Sequence, residues 1–401
     1  MNINQLAKQH EQYIMDARHH LHAHPELSCQ EVETTRFLVA ELEKMGISVQ
    51  TYDDITGCVA TIQGGEPGRT VMLRADIDAL PIQEVAGRDY GSQTPGVMHA
   101  CGHDCHAAML LGAARILQEG RQELTGTVKL IFQMGEEIGR KSEEYVTRGA
   151  LAGVDAIFGM HVWAGLDAGS VSFEHGERMA CSDRFTIQVS GVAAHGSAPH
   201  QGRDAILAAA AAVMALQALP SRINDPLESL VVTVGMMNGG TKENILCDRV
   251  ELVGTVRAFH REFRASMPKR IEQLVQQVVQ GYGCTAECEY YFGPSPLIND
   301  DRALVALAQG ATRQVMGENS LCHLDKMLGA EDFSVFLEHI PGVYGYLGAR
   351  NREKGIECTH HHPAFDVDES VLWHGAGIYA QFAADYLAQQ SLAQGGTRMN
   401  T

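Results

Sequence analysis

The stretch His99-Ala100-Cys101-Gly102-His103-Asp104-Cys105-His106 combines metal-binding residue types with small residues. It leads into an apolar segment, residues 107–117, whose composition predicts a helix. A polar loop with an N-capping Asp104 is the alternative, but the density of donors favours a metal site. These donors are too close in sequence to surround one tetrahedral ion, whose ligands usually come from separated segments. The remaining ligands must therefore come from elsewhere in the chain.

Length, composition and charge limit the classes of protein. The chain has 401 residues, of which 45% are hydrophobic and 20% charged, and its formal net charge is -18. This predicts a soluble globular protein with two domains. Excess negative charge would repel nucleic acids and anionic membranes, so we expect neither as a partner and favour a small molecule or a protein. The most apolar stretch, residues 205–216, is shorter than the roughly 20 residues of a membrane span.

The N-terminal residues and the cysteines predict the cellular compartment. Met1 to Lys8 contain no basic region followed by an apolar run, so we expect no signal peptide and a cytoplasmic protein. The 10 cysteines are then expected to be reduced thiols. Cys101 is therefore available as a ligand.

Apolar runs separated by helical segments dominate the N-terminal part of the chain. Strands are predicted at residues 58–62, 70–75, 127–132 and 156–160. Strands alternating with helices predict an α/β domain with a mixed, mostly parallel sheet flanked by helices. Ser28-Cys29-Gln30-Glu31 has the pattern of a capping box, which predicts a helix from there to about Met45.

Near Met179 the pattern changes to clean alternation of apolar and polar residues. Such strands are predicted at residues 184–190, 229–234 and 250–259, with helices at 204–219 and 268–280. This describes a smaller α+β domain with an antiparallel sheet. The α/β pattern returns after Pro294. We therefore predict a discontinuous metal-binding catalytic domain, residues 1–178 and 294–401, with residues 179–293 inserted into it.

Further metal-binding residue types follow predicted strands elsewhere in the chain. Glu136 and Glu137 come after one strand, His161 closes another, and the pair His361-His362 precedes a proline. All of these are predicted at strand ends and none at mid-strand, which is where α/β folds place their sites. The adjacent glutamates can enter one cavity only if the chain has left the strand, which Gly135 permits. A solvated surface pair is the alternative for the two glutamates alone.

The types of donor indicate the chemistry. Cysteine, histidine and glutamate together suit Zn, Mn, Co or Ni rather than Mg or Ca. A pair of ions would need a bridging carboxylate, thiolate or water. Because water bound to a metal becomes nucleophilic near neutral pH and a carboxylate can take its proton, the set favours hydrolysis of an amide or ester.

Several motifs, in their order along the chain, resemble those of the M20 metallopeptidase family. They are similar to its N-acyl-amino-acid amidohydrolase branch, which includes hippurate hydrolases and auxin-conjugate hydrolases. The likeness extends from about His22 to His374. It implies a two-metal catalytic domain and an inserted lid domain through which subunits usually dimerise. The motifs that carry it are His99 to Asp104, Phe132 to Glu137, Gly159 to Val162 and His361 to Phe365.

The resemblance implies a role for each donor. Glu136 would be the general base that deprotonates a water bridging two divalent transition-metal ions and later protonates the leaving amine. Asp76 lies where many members carry a ligating histidine, and Asp78 either orients a ligand or has a structural role. We place the last ligand at His361 rather than His362. The implied metal ligands are Cys101, His103, Glu137, His161 and His361.

Three residues of the inserted domain are also implied to have functions. His195 lies in a segment similar to one whose histidine reaches a neighbouring subunit's active site and stabilises the oxyanion of the tetrahedral intermediate. Asn244 and Arg257 match positions associated with substrate binding, and an arginine suits a substrate α-carboxylate. A solvated strand face is the alternative for Arg257.

The leading interpretation is a dimeric, metal-dependent amidohydrolase that cleaves N-acyl amino acids to a carboxylic acid and a free amino acid. A dipeptidase or carboxypeptidase of the same family and a non-catalytic metal-binding protein are the alternatives. Cys105 and His106 either orient a ligand or pack in the core. The acyl group, the amino acid and the native metal are left open by the sequence.

Overall fold

The computed structural model describes residues 1–395. Its contacts divide the chain into two compact units. The larger unit contains Met1–Gly176, Asn299–Asp325 and the chain from Val335 onward, and the smaller contains Glu177–Ile298 and Lys326–Ser334. The junctions lie close to the predicted bounds of the inserted domain, but residues 326–334 group with the smaller unit. Its role as a lid stays a prediction.

The helices, numbered in chain order, are α1 Ile3–Gln9, α2 Glu11–Ala23, α3 Val32–Lys44, α4 His103–Glu119, α5 Ser142–Thr147, α6 Ala205–Leu216, α7 Arg261–Gln280, α8 Arg302–Met316, α9 Phe333–Phe336 and α10 Leu372–Gly395. The strands are β1 Ser48–Gln50, β2 Cys58–Gln63, β3 Glu66–Asp76, β4 Thr125–Gln133, β5 Ala156–Asp167, β6 Val171–Ser172, β7 Gly176–Met179, β8 Asp183–Ser190, β9 Leu230–Gly239, β10 Arg249–Ala258, β11 Thr285–Tyr291, β12 Leu297–Asn299 and β13 Gly342–Arg350.

The larger unit contains a 7-stranded sheet in the order β1-β2-β4-β3-β5-β13-β6. Its central strands β4, β3, β5 and β13 are parallel, and antiparallel pairs flank them on both sides. The predicted α/β class with a mixed, mostly parallel sheet is confirmed. Because parallel strands end at the same edge of a sheet, the residues after β3 and β4 lie side by side.

Helix α4 packs in the core of the larger unit, with nearly all its side chains buried. The packing around α4 is tight at Gly112. A Cβ atom at this position would lie 2.6 Å from Ile14 of α2 and 2.9 Å from Ala376 of α10. The segment that begins with His103 is therefore fixed by the surrounding helices.

The smaller unit has a 4-stranded antiparallel sheet in the order β11-β8-β10-β9. Helices α6 and α7 cover it, and their buried residues share a core with the strands. Strand β9 lies at one edge of this sheet. The predicted α+β architecture is thus present in the structure.

One apolar helical stretch is longer than the sequence pattern predicts. Helix α6 is followed by a π-helical turn, Leu219–Ile223. The stretch Ala205–Ile223 is long and apolar enough, by length and composition alone, to cross a membrane, and 28% of it is buried. A single such stretch is weak evidence for a membrane.

The predicted capping box at residues 28–31 is wrong. Helix α3 begins only at Val32, and the side chain of Glu31 makes no capping bond to it. The carboxylate of Glu26 accepts instead from the backbone N–H groups of Glu33 and Thr34, at 3.1 and 2.8 Å. Since Glu26 satisfies the free N–H groups of this first turn, Ser28 and Glu31 are available for other contacts.

The close approach at Gly112 predicts a loss of stability on substitution. We expect Gly112→Ala to lower the free energy of unfolding by about 1–3 kcal/mol, because the added methyl overpacks three helices. Gly310→Ala in α8 is the matched control, since a Cβ atom there meets none of the described residues within 4 Å. It should raise stability by about 0.5–1 kcal/mol by reducing the freedom of the unfolded chain. Urea unfolding followed by circular dichroism measures both, and equal effects would contradict the packing.

Candidate metal centre

The ligand-rich stretch turns sharply before it enters α4. Gly102 has a φ of 92°, and a Cβ atom there would lie 2.4 Å from Val162 Cγ2. Only glycine fits this left-handed position and close contact without strain. The turn directs Cys101 and His103 to the same place, while Cys105, in the first turn of the helix, packs in the core.

The structure brings all the predicted metal ligands together. Cys101, His103 and His161 place ligand atoms within 4.8 Å of one another, and so do Cys101, Glu137 and His361. Cys101 belongs to both groups, and its Sγ lies 3.5 Å from His161 Nε2. Two overlapping groups that share a thiol suit a pair of ions with a bridging ligand.

His161 is not at a strand end, as predicted, but within β5. The last paired residues of β3 and β5 are Arg74 and Gly159. His161 therefore lies beyond the end of this pairing, in a part of β5 that pairs with no described residue on the β3 side. The prediction failed because β5 continues to Asp167 beside the longer strand β13. The buried ring still reaches the site, since its Nε2 lies 3.5 Å from Cys101 Sγ.

Hydrogen bonds fix which ring nitrogen each histidine presents. His103 Nδ1 lies 3.1 Å from Asp78 Oδ1, and His161 Nδ1 lies within hydrogen-bond distance, 2.5 Å, of the carbonyl oxygen of Val162. Because carbonyl and carboxylate oxygens only accept, both Nδ1 atoms donate. Both Nε2 atoms are left to bind a cation.

Charge at the centre favours a cation. Burial disfavours the charged form of His103, but Asp76, Asp78 and Glu137 together raise its pKa to about 10. Burial and the neighbouring carboxylates also raise the pKa of the Cys101 thiol. Burial lowers the pKa of His161 well below its usual range, which keeps that ring neutral. A metal ion would replace the protons on His103 and Cys101 and relieve the excess of negative charge.

Asp78 connects a ligand to the segment that carries the predicted base. It is buried, and its Oδ1 accepts from the backbone N–H of Glu136 as well as from His103. Its Oδ2 accepts from the backbone N–H of Glu137 and from the Ser28 hydroxyl, at 3.1 and 2.6 Å. Of the two roles considered for Asp78, the contacts favour orienting a ligand.

Asp76 has a buried arginine and a buried histidine as its neighbours. Its carboxylate accepts from Arg74 Nη1 at 2.7 Å and lies 2.5 Å from His106 Nδ1. His106 Nε2 accepts from the backbone N–H of Val162, next to His161. Of the two interpretations of His106, orienting a ligand is therefore the one the contacts favour.

The structure distinguishes the two adjacent histidines of the last motif. His361 has a φ of 64°, and its Nε2 lies 3.3 Å from Glu137 Oε1. His362 instead accepts through Nδ1 from the backbone N–H of Ala364, at 3.0 Å. Geometry thus favours His361 as the ligand.

The three predicted residues of the smaller unit lie on its surface or strands. His195 is exposed, and its Nδ1 accepts from the backbone N–H of Ser197 at 3.1 Å, so the neutral ring carries its proton on Nε2. The carbonyl of Asn244 accepts from Gly196 N–H, which places this residue beside His195. Arg257 is half-buried on β10, opposite Val231 of β9. Their roles stay predictions.

Sequence reasoning missed the ionic network behind the ligand loop. Asp104 does not cap α4 but contacts Arg18 at 3.1 Å and His22 at 2.8 Å. Arg18 in turn contacts Asp366 and Glu369, which follow the last motif. Four histidines within residues 19–24 mark this segment as unusual in the sequence. Nothing in the local pattern indicates that His22 contacts Asp104, which is 82 positions away.

The residues present fit a metal centre. His103 Nε2 is buried and makes no hydrogen bond within the described chain, although it lies 3.8 Å from Asp76 Oδ2 and 3.9 Å from Glu137 Oε1. A buried polar atom without a partner is costly, and a metal ion would satisfy it. The thiol, imidazole and carboxylate donors suit a first-row transition metal.

Comparison with known proteins agrees with the fold and the site. The model of peptidase family M20/M25/M40 matches residues 72–385. The N-acetyl-L-cysteine deacetylase of Bacillus subtilis is 38% identical over 93% of this chain and 86% of its own. IAA-amino acid hydrolase ILR1-like 4 of Arabidopsis thaliana is 38% identical over 94% and 86%. The crystal structure of the Bacillus subtilis YXEP protein, a dinuclear metal binding peptidase from the M20 family, superposes with a TM-score of 0.83, at 34% identity, over 95% of this chain and 99% of that one.

Fold and site together define a metal-dependent hydrolase. The chain belongs to peptidase family M20/M25/M40. The predicted family and the predicted class of enzyme, an amidohydrolase, are confirmed. Metal binding is confirmed as a property of the class, while the identity of the ions stays open.

The contacts of the two adjacent histidines predict different effects on metal binding. We expect His361→Ala to weaken binding of divalent ions at least 10-fold, because one ligand of the second group is lost. His362→Ala is the matched control and should bind as the parent does. Titration of metal-free protein against a competing chelator measures both. The reverse order of effects would assign the ligand to His362.

Proposed function

We propose that this protein hydrolyses the amide bond of N-acyl amino acids. The observation that carries the proposal is the position of Glu136, whose carboxylate lies within 4.8 Å of ligand atoms of both His103 and Glu137. A base at that distance can reach a water at the metal centre. Relatives named as deacetylases and as amino acid hydrolases support amides of this kind as substrates.

The chain's own residues account for the proton transfers. Divalent ions, when bound, would polarise the scissile carbonyl and make a nearby water more acidic. Glu136 takes a proton from the attacking water and later gives it to the nitrogen of the leaving amino acid. The C–N bond breaks, the carbonyl carbon gains the water oxygen, and a carboxylic acid and a free amino acid result. Asp78 fixes the backbone from which Glu136 projects.

The smaller unit is proposed to bind the rest of the substrate. Arg257 offers a planar pair of N–H donors for the α-carboxylate that every amino acid product carries. Asn244 lies beside His195 and could contact the amide. The Nε2–H of His195 is proposed to donate to the oxyanion that forms on the carbonyl oxygen.

A homodimer is proposed from the apolar surface of the smaller unit. Strand β9 is at the edge of its sheet, and Met236 and Met237 on it are 54% and 43% exposed. On α6, Leu207 and Met214 are 54% and 74% exposed. An open strand edge beside exposed apolar side chains is typical of a surface that a second copy covers. The same exposed face explains the apolar character of the stretch that begins at Ala205.

Replacement of the proposed base tests the reaction. We expect Glu136→Gln to lower kcat about 10²–10⁴-fold, because the amide cannot accept the proton. Its metal content should stay that of the parent, whereas Glu137→Gln should lose metal. Rates are measured on a panel of N-acyl amino acids and dipeptides with protein loaded separately with Zn, Mn, Co and Ni. A Glu136→Gln enzyme with the parental rate would refute the mechanism, and faster turnover of dipeptides would refute the substrate class.

Mixing two inactive variants tests whether His195 acts on the partner subunit. His195→Ala should lower kcat about 10²–10³-fold through loss of the oxyanion donor. After unfolding and refolding together, Glu136→Gln and His195→Ala chains should regain about a quarter of the parental activity, because half of the dimers are hybrids and each has one intact site. No recovery would mean that His195 serves its own subunit.

The proposed interface has a control on the neighbouring helix α7. Leu207→Glu combined with Met214→Glu should give monomers by light scattering, and Gln273→Glu on the exposed side of α7 should not.

A further inference from the structure

Backbone N–H groups of the base loop, defined as residues 134–137, all donate to buried side chains. This segment follows β4 and carries both the proposed base and a metal ligand. Asp78 accepts from two of the N–H groups, as described above. The acceptors are Tyr145 Oη for Met134 at 3.1 Å, Glu31 Oε1 for Gly135 at 2.9 Å, and the two Asp78 oxygens for Glu136 and Glu137 at 3.1 Å each.

Glu31 has contacts that are otherwise unexplained. It is fully buried, and its Oε1 accepts from the backbone N–H of Cys29 as well as from Gly135, each at 2.9 Å. Its Oε2 accepts from the Thr56 hydroxyl at 2.5 Å. Within residues 1–395, the partners of this carboxylate are neutral hydrogen-bond donors and not cations. Burying an anion without an ion pair is costly, so this position has a role that offsets the cost.

The bond from Gly135 lies where the chain leaves β4. Gly135 has a φ of 66°, and a Cβ atom there would lie 2.9 Å from Lys141 Cγ. This left-handed residue turns the chain so that Glu136 and Glu137 do not alternate across the sheet as strand residues would. The N–H of Gly135 that Glu31 accepts therefore belongs to the residue at which the chain turns.

Glu31 is also anchored on its other side. Its backbone carbonyl accepts from Thr35 N–H at 3.0 Å, and Thr35 Oγ1 accepts from Gly57 N–H at 2.7 Å. Gly57 adjoins Thr56, the residue that donates to the Glu31 carboxylate. These bonds fix the start of α3 to residues 56–57. They therefore hold the Glu31 carboxylate in one position beside the base loop.

We propose that Glu31 is a positioning residue for the reaction, which sets the place of the Glu136 carboxylate by accepting from the N–H of Gly135. The proposal rests on the proposed function of Glu136. A general base must lie within hydrogen-bond reach of the proton that it takes, and a misplacement of about 1 Å can cost about 100-fold in rate. Glu31 itself touches neither substrate nor metal in this role.

Substitution of Glu31 tests the proposal through kcat and KM separately. We expect Glu31→Ala to lower kcat about 100-fold, with KM and metal content close to those of the parent. Glu31→Gln keeps a neutral acceptor of the same shape. Its kcat should be about 10-fold below that of the parent, since a charged acceptor bonds more strongly. Thr56→Val removes the hydroxyl that orients Glu31. Its kcat should lie between that of Glu31→Gln and that of the parent. Glu33→Ala, an exposed position two residues away, is the matched control.

Amide hydrogen exchange of metal-free protein gives a readout that does not depend on activity. Exchange at the Gly135 N–H should be faster in Glu31→Ala than in the parent or in Glu33→Ala. Parental kcat in Glu31→Gln and Thr56→Val would overturn the proposal, and so would a fall in kcat accompanied by loss of metal. If the parent hydrolyses no N-acyl amino acid, the proposed function fails, and exchange still decides: faster exchange supports the positioning contact, and unchanged exchange refutes it.

Discussion

The carboxylate of Asp78 is the contact on which the metal centre depends. Both of its oxygens accept two hydrogen bonds, from the ring of His103, the Ser28 hydroxyl and two consecutive backbone N–H groups. It lies just beyond β3, and Glu136 and Glu137 lie just beyond β4, its parallel neighbour. A single buried anion therefore fixes a ligand on α4 relative to the proposed base, which comes from a different part of the chain. Bonds to a charged acceptor are stronger than bonds between neutral groups, and together they hold geometry that two separate loops would not keep alone.

Several other buried carboxylates surround the centre, and each is compensated differently. Asp76 contacts Arg74 and His106. Burial alone would raise the pKa of Asp76, but the charges of Arg74 and the neighbouring histidines hold it well below the usual range. Asp104 meets Arg18 and His22. Glu137 instead has two histidine rings beside its Oε1, that of His361 at 3.3 Å and that of His103 at 3.9 Å. The excess negative charge is thus concentrated at the place where divalent ions would bind, which gives the site affinity and a preference for cations over neutral ligands.

Residues 26–31 show how one short segment is divided between folding and function. Glu26 satisfies the first turn of α3, so Ser28 and Glu31 can contact Asp78 and the base loop instead. The residues of a capping box are therefore present at 28–31, but Ser28 and Glu31 bind Asp78 and the base loop and do not cap the helix. Local rules of helix capping describe which donors need partners, and they do not specify which of several nearby acceptors will provide them.

The sequence by itself determined the classes of element, the two kinds of sheet and the types of donor, because alternation, helical spacing and turn residues are read within a short window. It also placed Cys101 and His103 just before a helix, and Glu137 just after a strand with Gly135 as the residue that lets the chain turn. The tertiary structure decided what no short stretch of sequence contains: that the His361 ring lies beside Glu137, that β5 extends past His161, and that Asp104 meets Arg18. These contacts join residues far apart in the chain, and which of them meet depends on strand order and helix packing rather than on local pattern.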